Sequence, residues 1–311
     1  MTGSVFRFRS GTCSCMCAAD AAWTVVRLLD WTRNHFAARG VEAPRLSAEV
    51  LLSHVLGCGR LELYTRHAYQ PSADQLAAYR ELVKRAADRE PVAYLVGWKE
   101  FYSLRFKVTP EVLSPRPETE LLVSEALEHL RRSAPVLGRP PRLWDVCTGS
   151  GCVAVAVAAQ LSEVQVLATD VSPGAAAVAR ENVEAHGLSG RIRCRVADLL
   201  SLPEDCGEFR GVEVITANPP YVAEGDFVAE TVRHEPPQAL YAGRDGLSFI
   251  RRIIAAAPEF LAGGGALVME FGLAQADAVR DAILASGGFE EPRILRDHQA
   301  IERAATAVKR R

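Results

Sequence analysis

The chain has 311 residues, more than one hydrophobic core usually serves, so one large or two unequal domains are expected. With 49% hydrophobic and 24% charged residues the composition is that of a globular protein, which excludes the disordered and fibrous classes. A formal net charge of −2 gives no global field for a polyanion, and no apolar run approaches the ~20 residues that span a bilayer, so neither nucleic acid nor membrane is an expected partner.

In chain order, residues 1–18 are expected to be a disordered tail. Cys13, Cys15 and Cys17 alternate too tightly for zinc-ligand spacing, and because Met16 directly precedes the first helical pattern, residues 1–15 fit an upstream extension from a misassigned start. The first residues lack a secretory pattern, and the eight cysteines form no paired C-x-x-C motifs, so a cytoplasmic protein with reduced thiols, monomeric by default and without a metal, is expected. From Ala22 to Arg39, Val25, Leu29, Thr32 and Phe36 recur at helical spacing, with Arg27, Asp30, Arg33 and Asn34 elsewhere around the axis and Gly40 as the stop. Leu46–Leu56 reads as a second helix. Ser72 with Gln75 makes a capping box that opens a third, running to about Arg89. Residues 19–97 are thus predicted to form a helical domain.

Lys99 to Thr109 places Phe101, Tyr102, Leu104, Phe106 and Val108 largely in alternation with polar residues, which predicts a two-stranded ribbon; residues 98–115 are assigned as the connector. After Arg139-Pro140-Pro141 the pattern changes to short apolar runs at Arg142–Val146, Val164–Asp170, Arg191–Val196, Val212–Ala217 and Gly265–Phe271. Helical segments at Cys152–Leu161, Pro173–His186, Leu247–Leu261 and Ala274–Ser286 lie between and after these strands, with Ser172 and Pro173 as N-cap and N1. Pro292–Leu295 and Ala304–Val308 are candidates to close the sheet. This alternation predicts an α/β, Rossmann-like doubly wound sheet over residues 116–311.

In such a sheet, ligands bind beyond the carboxyl ends of the strands. The first strand ends in Asp145-Val146-Cys147-Thr148-Gly149-Ser150-Gly151 and runs into a helix, a string nearer to the D-x-G-x-G-x-G of S-adenosylmethionine enzymes than to the G-x-G-x-x-G of dinucleotide sites. The second ends at Asp170, where a carboxylate can accept ribose hydroxyls of either nucleoside. The third is followed by Asp198 and Leu199, an acid and an apolar group suited to an adenine. The fourth ends in Asn218-Pro219-Pro220-Tyr221, which separates the two classes. An amide or exocyclic amine is a poor nucleophile because its lone pair is delocalised. The Asn218 oxygen and the Pro219 carbonyl can accept both N–H bonds of a planar NH₂ group, while the prolines fix the turn and Tyr221 offers a face to pack upon. No histidine lies in a recognisable catalytic motif, and His234 is the one near enough to the predicted site to test.

On these residues the sequence resembles the peptide chain release factor N(5)-glutamine methyltransferases (the HemK/PrmC family), over nearly everything after about Trp23. The most distinguishing string is Ser114-Pro115-Arg116-Pro117-Glu118-Thr119-Glu120, with Arg233-His234-Glu235-Pro236 and Asp245-Gly246-Leu247 downstream. The resemblance implies methyl transfer from S-adenosylmethionine to the glutamine of the Gly-Gly-Gln loop of release factors, and a helical front domain that helps grip that substrate. By position it implies donor contacts from Cys147, Thr148, Gly149, Ser150 and Gly151, ribose at Asp170, adenine at Asp198 and Leu199, and the glutamine at Asn218 through Tyr221. Three positions depart from the family pattern: Cys147 replaces a loop glycine, Ser114 an apolar residue, and Ala300 the glycine of a terminal D-x-x-G-x-x-R. The alternatives are a ribosomal-protein glutamine methyltransferase, which is not expected to carry the P-R-P-E-T-E run, a nucleic-acid amino-methyltransferase, and a non-catalytic binding protein on the same fold.

Overall fold

The computed structural model describes residues 22–226 and 230–311; the expectations for the tail, including Cys13, Cys15 and Cys17, lie outside the described residues. The chain divides into two compact units after Ala87, ahead of the expected end of the helical domain at residue 97.

The first unit holds helices α1 (Val25–Arg39), α2 (Pro44–Leu56), α3 (Glu62–Thr65) and α4 (Ala73–Ala87). The buried stripe of α1 is Val25, Leu28, Thr32 and Phe36. Leu28, not the expected Leu29, completes it; both fall within a stripe of about 100°, and periodicity alone does not choose between them. Gly40 ends the helix at φ 64°, donating to the Ala37 and Phe36 carbonyls. The predicted capping box forms: Gln75 N–H donates to Ser72 Oγ at 3.2 Å, and Ser72 N–H donates to Gln75 Oε1 at 2.9 Å.

The second unit begins with α5 (Val92–Val96) and the antiparallel hairpin β1 (Trp98–Phe101) and β2 (Leu104–Lys107). Tyr102 and Ser103 make its turn, both with positive φ, as a two-residue hairpin turn requires when it follows the right-handed strand twist. Phe101 and Phe106 are buried in the same core as Leu122, Leu127 and Leu143, so the hairpin packs as part of this unit. Helix α6 (Glu120–Leu137) follows. It was not among the predicted elements, although Leu122, Val123, Ala126, Leu127 and Leu130, all buried, carry helical spacing.

The remaining elements are β3 (Arg142–Val146), α7 (Cys152–Gln160), β4 (Gln165–Asp170), α8 (Pro173–Ala185), β5 (Ile192–Val196), β6 (Val212–Ala217), α9 (Ser248–Phe260), β7 (Leu261–Glu270), α10 (Ala276–Ala285), β8 (Arg293–Arg296) and β9 (Glu302–Val308). Together the strands form a seven-stranded sheet in the order β5-β4-β3-β6-β7-β9-β8. Pairings from β5 to β7 are parallel, and β9 runs antiparallel to both β7 and β8. Two-residue alternation sorts the side chains between two cores. Leu143, Val166, Val214 and Val268 pack with α6, α7 and α8 on one face. Trp144, Leu167, Ile215 and Leu267 pack with α9 and α10 on the other. Both faces are covered, which is why these strands read as apolar runs. The chain goes from β3 outward to β5, then returns to β6 on the other side of β3, so the order reverses beside β3, where a crevice opens at the strand ends. Among the described residues no helix is long and apolar enough to cross a membrane.

Candidate active site

The crevice at this reversal is a cleft enclosing about 980 Å³, part of it open to solvent, lined from the ends of β3, β4, β5 and β6 and by the segment ahead of α6. Of the predicted residues, Cys147, Thr148, Gly149 and Ser150 line it from the first loop. Asp170, Asp198, Leu199, Asn218 and Pro220 line it from the other three strand ends. Gly151, Pro219 and Tyr221 do not line it, and His234 is exposed outside it.

The loop after β3 is held from below. Asp145 is buried and accepts from the Thr148 hydroxyl at 2.5 Å and the Thr216 hydroxyl at 2.7 Å, tying the loop to β6. Burial pushes its carboxyl up to about 6, against those two hydrogen bonds. Thr148 N–H donates to the Thr169 carbonyl at 2.9 Å, so the loop is also pinned to β4. Cys147, Gly149 and Gly151 all have positive φ, at 56°, 54° and 79°; Cys147 adopts, at some strain, the conformation its replaced glycine would take freely. A Cβ on Gly149 would meet nothing within 4 Å, leaving the backbone open to a ligand. On Gly151 it would press on Ala179 at 3.2 Å, so this glycine serves the packing of α7 on α8.

Asp170 accepts from Gly149 N–H at 2.9 Å and Ser172 N–H at 3.0 Å. Burial raises its carboxyl, and these amides partly restore the charged form. Asp198 accepts from Arg252 at 2.6 Å with both side chains about half exposed, and Leu199 adopts φ 48° beside it.

The end of β6 is braced by Thr119 and Glu270, to which the sequence alone assigns no individual role. Asn218 donates through Nδ2 to Thr119 Oγ1 at 3.2 Å, and Thr119 donates to Glu270 Oε2 at 2.7 Å. Tyr221 donates its hydroxyl to Glu270 Oε1 at 3.2 Å. Thr119 and Glu270 are both about 2% exposed, and burial lifts the Glu270 carboxyl to about 7. Tyr221 thus anchors the tetrapeptide to the core beneath it. Its carbonyl accepts from Gln275 Nε2 at 3.0 Å and lies so close to Gly246 that a Cβ there would come within 2.3 Å of it.

The distinguishing strings now have physical roles. Arg116 donates to the buried Glu235 at 2.7 Å, joining Ser114–Glu120 to Arg233–Pro236, and Ser114 N–H donates to the same carboxylate at 3.4 Å. Burial raises the Glu235 carboxyl and the Arg116 guanidinium opposes that. Glu120 accepts from Tyr102 N–H at 2.9 Å, fixing the hairpin turn against α6. Gly246 of Asp245-Gly246-Leu247 supplies the close approach to Tyr221. The one signal for Glu270 is a carboxylate at the end of an otherwise apolar strand run, and for Thr119 its place within the P-R-P-E-T-E string.

Residues 27–97 match the PrmC N-terminal domain and residues 144–234 a methyltransferase domain. The chain is similar to the release factor glutamine methyltransferase of Rhodopirellula baltica, 40% identical over 294 residues that cover 93% of this chain and 98% of that one. It is likewise similar to the release factor glutamine methyltransferase of Geobacter sulfurreducens, 44% identical over 260 residues, covering 83% of this chain and 87% of that one. Among solved structures, the hMettl16 catalytic domain in complex with a MAT2A 3′UTR hairpin covers 71% of this chain and 81% of that one at a TM-score of 0.52 and 19% identity, a likeness of fold. With its length shared almost end to end at this identity, the chain belongs to the release factor glutamine methyltransferase family.

Proposed function

We propose that this chain transfers a methyl group from S-adenosylmethionine to the side-chain amide nitrogen of the glutamine in the Gly-Gly-Gln motif of peptide chain release factors, in the cytoplasm where those factors act. The observation that carries the reading is the state of Asn218: its NH₂ is engaged by Thr119, so the amide oxygen is the atom left to a substrate, on a side chain that lines the cleft.

The cleft suits a cationic donor. Glu111, Asp145, Asp170 and Asp198 line it against Arg116 alone among the described basic residues, an acidic lining complementary to a sulfonium and an ammonium. Asp170 keeps lone pairs for ribose hydroxyls beyond those its two backbone amides occupy. The donor, when bound, supplies a methyl group on a positively charged sulfur, already a good leaving group. The chain's task is then to hold and orient the nucleophile. Asn218 Oδ1 accepts one N–H of the substrate amide, and the backbone carbonyl of the adjacent Pro219, a residue that does not itself line the cleft, is the acceptor expected for the other, turning the nitrogen lone pair toward the methyl. A new N–C bond forms as the S–C bond breaks, and the nitrogen's surplus proton goes to solvent.

The P-R-P-E-T-E run favours a release factor over a ribosomal protein as substrate, and that run braces the tetrapeptide through Thr119. The test is transfer to two release factors, one with its motif glutamine and one with glutamate in its place. Label entering only the first supports the reading, and equal labelling of both overturns it.

A further inference from the structure

Asn218 can serve an incoming amide only if its oxygen, not its NH₂, faces the cleft, and a free asparagine side chain has no strong preference between the two. The hydrogen bonds behind it supply the preference. An ionised carboxylate only accepts, so with Tyr221 and Thr119 both directed at Glu270, the single hydroxyl proton of Thr119 is committed to Glu270 Oε2. Thr119 Oγ1 then has only lone pairs left for Asn218, and the amide must present Nδ2 to it, as it does at 3.2 Å. With a neutral group at position 270 the commitment is released. Thr119 can accept from residue 270 and donate to Asn218, the amide can turn over, and an NH₂ group would meet the donors of the substrate.

We propose that Glu270 and Thr119 are positioning residues that set which atom of Asn218 faces the substrate, so that methyl transfer depends on the charge of Glu270 although that carboxylate does not line the cleft. This rests on the reading that Asn218 Oδ1 accepts the substrate amide. Thr119 and Glu270 are separated by 151 positions in the chain and both are buried, so solvent does not blur the polarity of the chain of bonds. The groups facing Glu270 are Thr119 and Glu118 ahead of α6, Arg303 on β9, Tyr221 after β6, and Cys152 on α7. Glu118 disfavours its charge, and Arg303 with the two hydroxyl donors favours it; burial dominates and lifts the carboxyl to about 7. Since the ionised form is the active one, transfer falls as pH drops through that value.

The test measures kcat against pH for wild type, Thr119→Val, Thr119→Ser, Glu270→Gln and Asn218→Ala, with donor affinity by calorimetry. Thr119→Val is expected to lower kcat about 10- to 100-fold at unchanged donor affinity, with Thr119→Ser restoring most of it. Wild type is expected to show an acid limb near 7, and Glu270→Gln a uniformly low kcat without that limb. Wild-type kcat in Thr119→Val, or an acid limb retained in Glu270→Gln, overturns the proposal. Should Asn218→Ala lose transfer while both of those variants behave as wild type, only the positioning fails. Should Asn218→Ala itself turn over normally, the reading beneath it fails.

Discussion

Gly246→Ala is the sharpest perturbation of the Asn218–Tyr221 tetrapeptide from outside it. Gly246 has φ 71°, where an alanine costs about 1–2 kcal/mol from backbone geometry alone. Its new Cβ would also stand 2.3 Å from the Tyr221 carbonyl oxygen and 2.7 Å from Gln275 Nε2, so backbone must move. Overpacking of this kind costs about 1–3 kcal/mol. Together these amount to about 2–5 kcal/mol, or a fall in Tm of roughly 4–20 °C for a domain of this size. Gly243 provides the control: its φ is 77°, yet a Cβ there would be 3.7 Å from its nearest neighbour, so Gly243→Ala carries the backbone cost without the collision. The difference between the two variants, by thermal denaturation and methyl-transfer rate, isolates the push on Tyr221. A displacement of about 1 Å at Asn218 is expected to cost about 100-fold in kcat. Equal Tm and equal kcat for the two variants would refute the reasoning.

Asp170→Ala removes the carboxylate assigned to the donor's ribose and is expected to weaken donor binding about 10- to 100-fold, read by calorimetry; unchanged affinity would take Asp170 out of the site. Ala300, the third departure from the family pattern, sits exposed at φ 61°; Ala300→Gly should relieve about 1 kcal/mol of strain and raise Tm by roughly 2–4 °C, and a lowered Tm would count against the strain. Glu270 also makes a stability prediction. Its folded-state carboxyl is raised above its unfolded value, so the native state holds the proton more tightly, and the cost of ionising it appears as pH rises from the unfolded value and is complete above about 7. Glu270→Gln should therefore gain in Tm relative to wild type between pH 5 and pH 8, and a constant difference across that range would contradict the burial of a charge there.

What could be read from the sequence was what local pattern and strand ends carry. Asp170, Asp198 and Asn218 each follow an apolar run and reach one cleft because parallel strands put their carboxyl ends on one edge. Ser72 with Gln75 and Ser172 with Pro173 were legible because a cap is made within a few residues of itself. Helix α6 has clear helical spacing, but Pro115 and Pro117 precede it, Pro140 and Pro141 follow it and Pro135 lies within it, and prolines are signals of helix ends that compete with that spacing. The brace behind Asn218 was hidden for a different reason. Thr119, Asn218 and Glu270 lie far apart along the chain, and a threonine or a glutamate taken singly has no signature. The P-R-P-E-T-E string flagged the right segment, but only Arg116 on Glu235 and Thr119 on Glu270 show what it does. Tyr221 is expected to offer a face for packing, and its hydroxyl bond to Glu270 adds an anchoring role that the sequence does not show.

The most direct test of the central claim is mass spectrometry of recombinant release factor incubated with this protein and labelled S-adenosylmethionine, the modified peptide being sequenced by fragmentation. The expected result is a single methyl group on the Gly-Gly-Gln glutamine, absent when Asn218→Ala replaces the wild type. Label found in ribosomal protein or nucleic acid with none on that glutamine would keep the methyl transfer and contradict the substrate.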